Sequence, residues 1–174
     1  MCIKIQERAQ AVTLLSPAAL AEATPPEVGS SIHLLGTIVT FRGIAAQTEG
    51  HYSLVEAATA PGAFTPPHVH SADAEAFYVL EGEYEVFRDG EISRHGPGAF
   101  VYMPRGTAHG FRNAGPETAR MLVINVPGGL HEQFFLAAGE PAAGPLAFPP
   151  PQAPDIPKLI EVAGRYGITL LPPE

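Results

Sequence analysis

From Ile32 onward the chain is written in short apolar runs, and nearly every gap between them holds Gly, Pro, Asn or Asp. Within the runs apolar and polar positions alternate with period 2, as a half-buried strand requires, because successive side chains leave opposite faces of a pleated ribbon. The pattern predicts strands over residues 32–41, 52–59, 68–70, 76–81, 84–88, 91–95, 100–103, 109–112 and 120–126. The clearest punctuation is Asp89-Gly90, a two-residue hairpin loop of the kind that favours positive φ. Many short strands with no intervening helix predict an all-β sandwich or barrel. After Val126 the period lengthens. Residues 131–137 read as a short helix and residues 139–154 as a Pro-rich connector with polyproline tendencies. Asp155 is placed to cap a second helix with an apolar face of Ile156, Leu159, Ile160 and Ala163, stopping near Gly167. No internal repeat is visible. The expected organisation is an N-terminal extension over 1–30, Ala/Pro-rich and at most partly helical, one barrel over 31–127, and a C-terminal helical extension over 128–174.

The chemistry is concentrated in two gapped patterns. The first is Gly62, His68, His70, Glu75 and Gly82, and the second is Gly98, Pro104, Gly106, His109 and Asn113. In a strand, His68 and His70 leave the same face one pleat apart, so both can reach one ion. Glu75 follows the Ser71-Ala72-Asp73-Ala74 turn and is expected to complete the cluster from the neighbouring strand, on the same face as Phe77 and Val79. His109 arrives from a separate hairpin, after the turn Pro104-Arg105-Gly106, where proline fixes φ and glycine permits an unusual dihedral. Three imidazoles and a carboxylate suit one divalent transition ion, Fe, Mn, Ni, Co, Cu or Zn, with a coordination position left for water or substrate. A lone His on a strand is most often a surface or core residue. Two long patterns in the right order and close together are far more specific.

These motifs resemble those of the cupin superfamily, which implies a double-stranded β-helix, or jelly-roll barrel, here with short C-terminal helices. The resemblance further implies that His68, His70, Glu75 and His109 bind the metal. The phrase from Tyr102 to Asn113, the later Pro127-Gly-Gly and the tail from Arg165 to Pro173 are similar to single-domain cupins of the quercetin 2,3-dioxygenase type. That narrower likeness implies a catalytic Glu75 that also removes the proton of an enolic hydroxyl, and a small aromatic or enolic substrate cleaved with O2. A redox-inert ion at the same site would support isomerase or lyase chemistry instead. A ligand-binding barrel without turnover is the third class, since one fold hosts many functions.

Parity places Phe77, Val79 and Phe111 on the ligand face, with Phe64, Tyr102, Met121 and Val123 as further candidates for a pocket wall. An inward Phe in a barrel is more often core than a substrate contact. His33, His51, His95 and His131 lack ligand spacing and are expected to be exposed or hydrogen-bonded. Asp73 is expected to be a solvated loop carboxylate, Asn113 to brace a turn, and Arg105 and Arg112 to be solvated.

Charge narrows the partners. The net charge is −8 and the two lysines are Lys4 and Lys158. That balance argues against nucleic-acid or anionic-membrane partners and weakens the case for phosphorylated substrates. No apolar run is long enough to span a bilayer. Cys2 is the sole cysteine, so no internal disulfide forms. A cytoplasmic location is expected, with secretion kept open by Lys4 and Arg8 ahead of an apolar run and Ala19-Leu20-Ala21. The apolar run 32–41 would leave an unpaired edge, which predicts a homodimer.

Overall fold

The computed structural model describes residues 24–172. Expectations that fall on residues 1–23, including the partial helix, Cys2 and the leader-like run, lie outside the described residues. In chain order the elements are β1 (Ser31–Leu34), β2 (Thr37–Gly43), β3 (Ser53–Thr59), β4 (Phe64–His70), β5 (Ala74–Glu81), β6 (Tyr84–Arg88), β7 (Glu91–His95), β8 (Phe100–Met103), β9 (Ala108–Asn113) and β10 (Ala119–Val126). Then follow α1 (Leu130–Ala138), β11 (Glu140–Pro141), α2 (Ile156–Arg165) and β12 (Ile168–Leu170). Two antiparallel sheets face each other as a jelly roll, one ordered β11-β1-β2-β3-β10-β5-β8 and the other β12-β4-β9-β6-β7.

Alternation sets which face of each strand is inward. Met121, Val123 and Asn125 of β10 are buried, whereas Arg120, Leu122 and Ile124 between them are only half-buried. The inward set packs with Phe41, Val55, Phe77, Val79, Tyr84 and Val86 into one core. Asp89 (φ +48°) and Gly90 (φ +90°) form the expected hairpin loop between β6 and β7. Arg42, Glu56, Arg120 and Glu81 form an ion-pair chain, with Arg42 and Arg120 both on Glu56 and Arg120 also on Glu81.

Several expectations are corrected. The run 32–41 is two strands, because Leu35-Gly36 turns the chain at positive φ and folds β2 back on β1. β11 then pairs with β1, Ile32 opposite Pro141 and His33 opposite Glu140, so the edge invoked for a homodimer is capped within the chain. β4 starts at Phe64 rather than His68, its pairing with β9 interrupted by an irregularity around Pro66-Pro67, where no N–H is available to the ladder. The helix after the connector is capped by Asp155, whose Oδ1 accepts from Lys158 N at 3.1 Å, as expected. Its buried face, however, is Leu159, Val162 and Ala163, with Ile156 and Ile160 exposed. β12, absent from the sequence reading, lies along β4. No helix among the described residues is long and apolar enough to cross a membrane.

A buried imidazole and carboxylate cluster as candidate metal centre

His68 of β4 and His109 of β9 sit directly opposite each other in one sheet, and His70 lies two residues further along β4. The turn before β9 is tied to β4 by Gly106 N, which donates to His70 O at 2.9 Å, with Gly106 at φ +86° where a side chain would be strained. Gly110 has a different role. A Cβ there would stand 2.7 Å from Thr65 O, so a bare glycine allows β9 to pass the Pro66-Pro67 irregularity. On the other side of β4, β12 places Ile168 opposite His70 and Leu170 opposite His68. Glu75 does not come from an adjacent strand. It projects from β5 in the facing sheet, flanked there by Met103 and Asn125, so the cluster is assembled across the sandwich.

All four side chains are buried, and one donor atom from each lies within 4.8 Å of the others. The ring centroids are 4.9 Å apart for His68 and His70, 4.4 Å for His68 and His109, and 5.0 Å for His70 and His109. Each imidazole is held through Nδ1. His68 donates to Pro66 O at 2.8 Å, His109 to Thr107 O at 2.9 Å, and His70 to Asp73 Oδ2 at 3.3 Å. That turns every Nε2 toward the centre, where His109 Nε2 meets Glu75 and His70 Nε2 is buried without a hydrogen-bond partner. An orphaned buried nitrogen is expensive unless something binds there. Nδ1 tethering that orients Nε2 is also how metal-ligating histidines are held. The residues therefore fit a divalent transition ion.

Glu75 divides its oxygens: Oε2 meets His109 Nε2 at 3.0 Å, while Oε1 accepts from Asn125 Nδ2 at 3.1 Å. Burial alone would raise this carboxyl, but the hydrogen bond from His109 and the charges of His70, His131 and His109 hold it well below the usual carboxylate range. Burial would lower His109, and the Glu75 hydrogen bond and charge overcome it, so His109 is raised. His68 has no such partner. Burial, then the neighbouring His109 and His70, lower it to about 3, so it is neutral and able to ligate.

The sequence reading misplaced Asp73 and underrated His131. Asp73 is buried, and its Oδ2 gathers His70 Nδ1 at 3.3 Å, His131 Nδ1 at 3.2 Å and Asn125 Nδ2 at 3.3 Å. Burial raises this carboxyl, but hydrogen bonds from His131 and His70 outweigh it and keep Asp73 ionised. His131 does fall among the hydrogen-bonded histidines, yet it is brought to the site by α1. Glu132 docks that helix by accepting from Ala45 N at 2.6 Å, and Gly129 N donates to Ser53 Oγ at 3.0 Å. No spacing rule links Asp73 to His131, because the pairing exists only once α1 has folded back. Asn113 braces its turn, donating to Thr59 O and Glu117 O and accepting from Gly115 N. Arg105 and Arg112 are exposed, and Arg112 pairs with Glu85 at 2.7 Å.

A cavity of about 680 Å³, its open mouth included, reaches the cluster at His68 and Glu75. Its wall combines Leu34, Leu35, Val39 and Val55 with Phe134, Phe135, Leu159, Ile168 and Leu170 from the C-terminal elements, and His131 also faces it. Of the expected wall residues, Phe111 and Val123 line it. Phe77, Val79 and Met121 are core outside this lining, and Phe64 and Tyr102 point to solvent at 54% and 49% exposure. No lysine or arginine is among the lining residues.

Residues 55–125 match the model of the cupin domain. The quercetin 2,3-dioxygenase of Bacillus subtilis (strain 168) is 34% identical over 129 residues, covering 73% of this chain and 38% of that protein. Germin-like protein subfamily 2 member 2 of Arabidopsis thaliana is 36% identical over 106 residues, covering 52% of this chain and 45% of that protein. The chain thus spans less than half the length of either curated relative. Among solved structures, a predicted oxalate decarboxylase from Thermotoga maritima superposes with a TM-score of 0.50 at 18% identity, over 60% of this chain and 99% of that one. A variant of oxalate decarboxylase from Bacillus subtilis gives 0.50 at 23% identity, over 56% of this chain and 27% of that one. These two show the shared fold.

Proposed function

The chain is a cupin, and from that premise we propose that it is a metal-dependent oxygenase acting on a small, largely apolar aromatic or enolic molecule, a flavonol being the first class to test. The observation that carries this reading is the position of the three-histidine, one-glutamate cluster at the end of an apolar cavity without lysine or arginine in its lining. Dianionic or phosphorylated substrates ask for cations that the wall does not supply. An apolar ring system is accommodated by Phe111, Phe134, Phe135 and the surrounding aliphatics. The curated relative from Bacillus subtilis acts, by its name, on quercetin, which agrees with such a wall.

His68, His70 and His109 would hold the ion through Nε2, with Glu75 as fourth ligand. Bound there, a divalent transition ion supplies a Lewis-acidic and, for Fe, Mn, Ni, Co or Cu, a redox-active centre. The protein's own part is to orient, desolvate and move a proton. Glu75 is ionised, and Asn125 fixes Oε1 on the side away from His109, where that oxygen accepts the proton of an enolic hydroxyl. The apolar wall excludes water from the deprotonated substrate. Elemental analysis of the purified protein, followed by oxygen uptake across a panel of flavonols, tests the reading. Metal-loaded protein that consumes no O2 with any of them would shift the assignment to isomerase, lyase or binding roles.

A further inference from the structure

His131 and Asp73 form a second constellation beside the metal cluster that the proposed chemistry has not used. Asp73 Oδ2 is an acceptor only, so His131 Nδ1, 3.2 Å away, carries its hydrogen toward it. The 3.0 Å approach of Asn125 Nδ2 to the same ring nitrogen follows from both groups donating to one oxygen. In the neutral ring Nε2 then bears the free lone pair. The ring packs against Phe135 at a centroid distance of 4.6 Å and against Phe134 at 5.5 Å, edge-on. Its Nε2 is left facing the cavity, 4.0 Å from Glu75 Oε1. A substrate hydroxyl standing between them has one hydrogen to give, and Nε2 and Oε1 are the two acceptors within its reach.

We propose that His131, anchored by Asp73, is a substrate-contacting residue that works with Glu75 Oε1 as a two-acceptor clamp on the single hydrogen of a substrate hydroxyl, selecting ring compounds that carry one where the cavity meets the cluster. The clamp rests on the reading of the cavity as a substrate site, and it adds the chemical feature that the site selects. A purely apolar wall binds hydroxylated and unhydroxylated rings nearly alike, whereas a placed acceptor separates them.

The test measures binding to metal-free protein, so that chelation and turnover play no part. Affinities for a flavonol and for the matching flavone, which lacks the enolic hydroxyl, are compared in the parent, His131→Phe and His131→Gln, with thermal melts confirming that each variant is folded. The parent is expected to prefer the flavonol, and His131→Phe to reduce that preference by roughly 3- to 10-fold while leaving flavone affinity unchanged. His131→Gln, whose amide oxygen can accept, should restore most of the preference. Equal weakening of both ligands in His131→Phe would make His131 mere wall, and an undiminished preference would show that it does not touch the hydroxyl. Either result overturns the clamp alone. A parent that binds neither compound brings down the cavity reading and the clamp together.

Discussion

The ligand end of the site, on β4, β5 and β9, and the part of the apolar wall supplied by α1, α2 and β12 meet at His131 and are held together in opposite ways. At the ligand end, hydrogen bonds fix each ring: carbonyls two residues back in the chain hold His68 and His109, and Asp73, three residues on, holds His70. Donor placement there survives as long as β4 and β9 remain paired. The apolar wall side chains make no hydrogen bonds of their own, although α1 is docked through Glu132 and Gly129 and β12 through its pairing with β4. Phe134, Phe135, Leu159, Ile168 and Leu170 are placed by burial and by how the C-terminal elements pack back onto the barrel. Rigid, locally encoded donors thus sit beside a wall whose shape depends on long-range packing. Substitutions at the two ends should separate metal content from ligand shape.

His70→Ala should break the ligand end most completely. It removes the donor whose Nε2 has no other partner and unties Asp73 from β4. Metal affinity should fall by more than the roughly 10- to 100-fold typical of disturbing an outer-shell partner, and the proposed oxygenase activity with it. Metal content by elemental analysis checks this. Glu75→Gln should behave differently, since three imidazoles still hold an ion while the amide lacks the basicity for proton removal. Turnover of a flavonol should drop by roughly 10²- to 10⁴-fold, with metal content reduced far less. A Glu75→Gln protein that stays loaded and keeps the parent rate would remove Glu75 as base.

The contrast also explains what could be read without coordinates. The His68, His70 and His109 cluster was legible because strand parity and the turn at Pro104-Arg105-Gly106 are local properties. So were the Asp89-Gly90 hairpin and the Asp155 cap. Glu75 was legible as a ligand type but not as a group from the facing sheet, because which sheet a strand joins is decided by pairing far along the chain. Asp73 looked like a loop carboxylate because its partners, His131 and Asn125, are distant in sequence. The helix bearing Leu159 is legible from its cap and period, but its buried face is not, since Ile156 and Ile160 are as apolar as the residues that packing selects. Phe77 and Val79 were correctly placed on the inward face but are core and not wall, a distinction parity cannot make.

Acid should distinguish the two ends further. His68 is lowered to about 3 in the folded metal-free protein, against 6.5 as its ordinary value. The unfolded chain therefore binds the additional proton between those values. This contribution is fully present above about pH 6.5 and is lost as pH falls toward about 3, on the order of 5 kcal/mol from this one group. The depressed Asp73 and Glu75 carboxyls add losses in the same direction below about pH 4. Urea unfolding across that range measures it, and a flat profile between pH 6.5 and 4 would contradict a neutral, buried His68. Phe134→Ala should lower stability at every pH by about 2–4 kcal/mol through the lost contacts with Phe135, His131 and Tyr166, leaving metal content and the acid slope unchanged.

The smallest effect is expected at two further wall candidates that the fold turns to solvent. Phe64 and Tyr102 stand 54% and 49% exposed, Phe64 at the outer end of β4 opposite Arg112, and Tyr102 on the edge strand β8 opposite Ala76. Neither lines the cavity, and neither touches the hydrogen bonds that orient the imidazoles. Replacing each by Ser removes apolar surface that water already reaches, so stability should change by about 0.5 kcal/mol or less. Metal content and the affinity for a flavonol should match the parent. The pair serves as the control for the other variants, because both residues lie on the same strands or sheet edges as the site while facing away from it. If Tyr102→Ser or Phe64→Ser weakened ligand binding several-fold without lowering stability, the substrate would have to extend over the outside of the sheet, and the division between the hydrogen-bonded ligand end and the C-terminal apolar wall would be drawn in the wrong place.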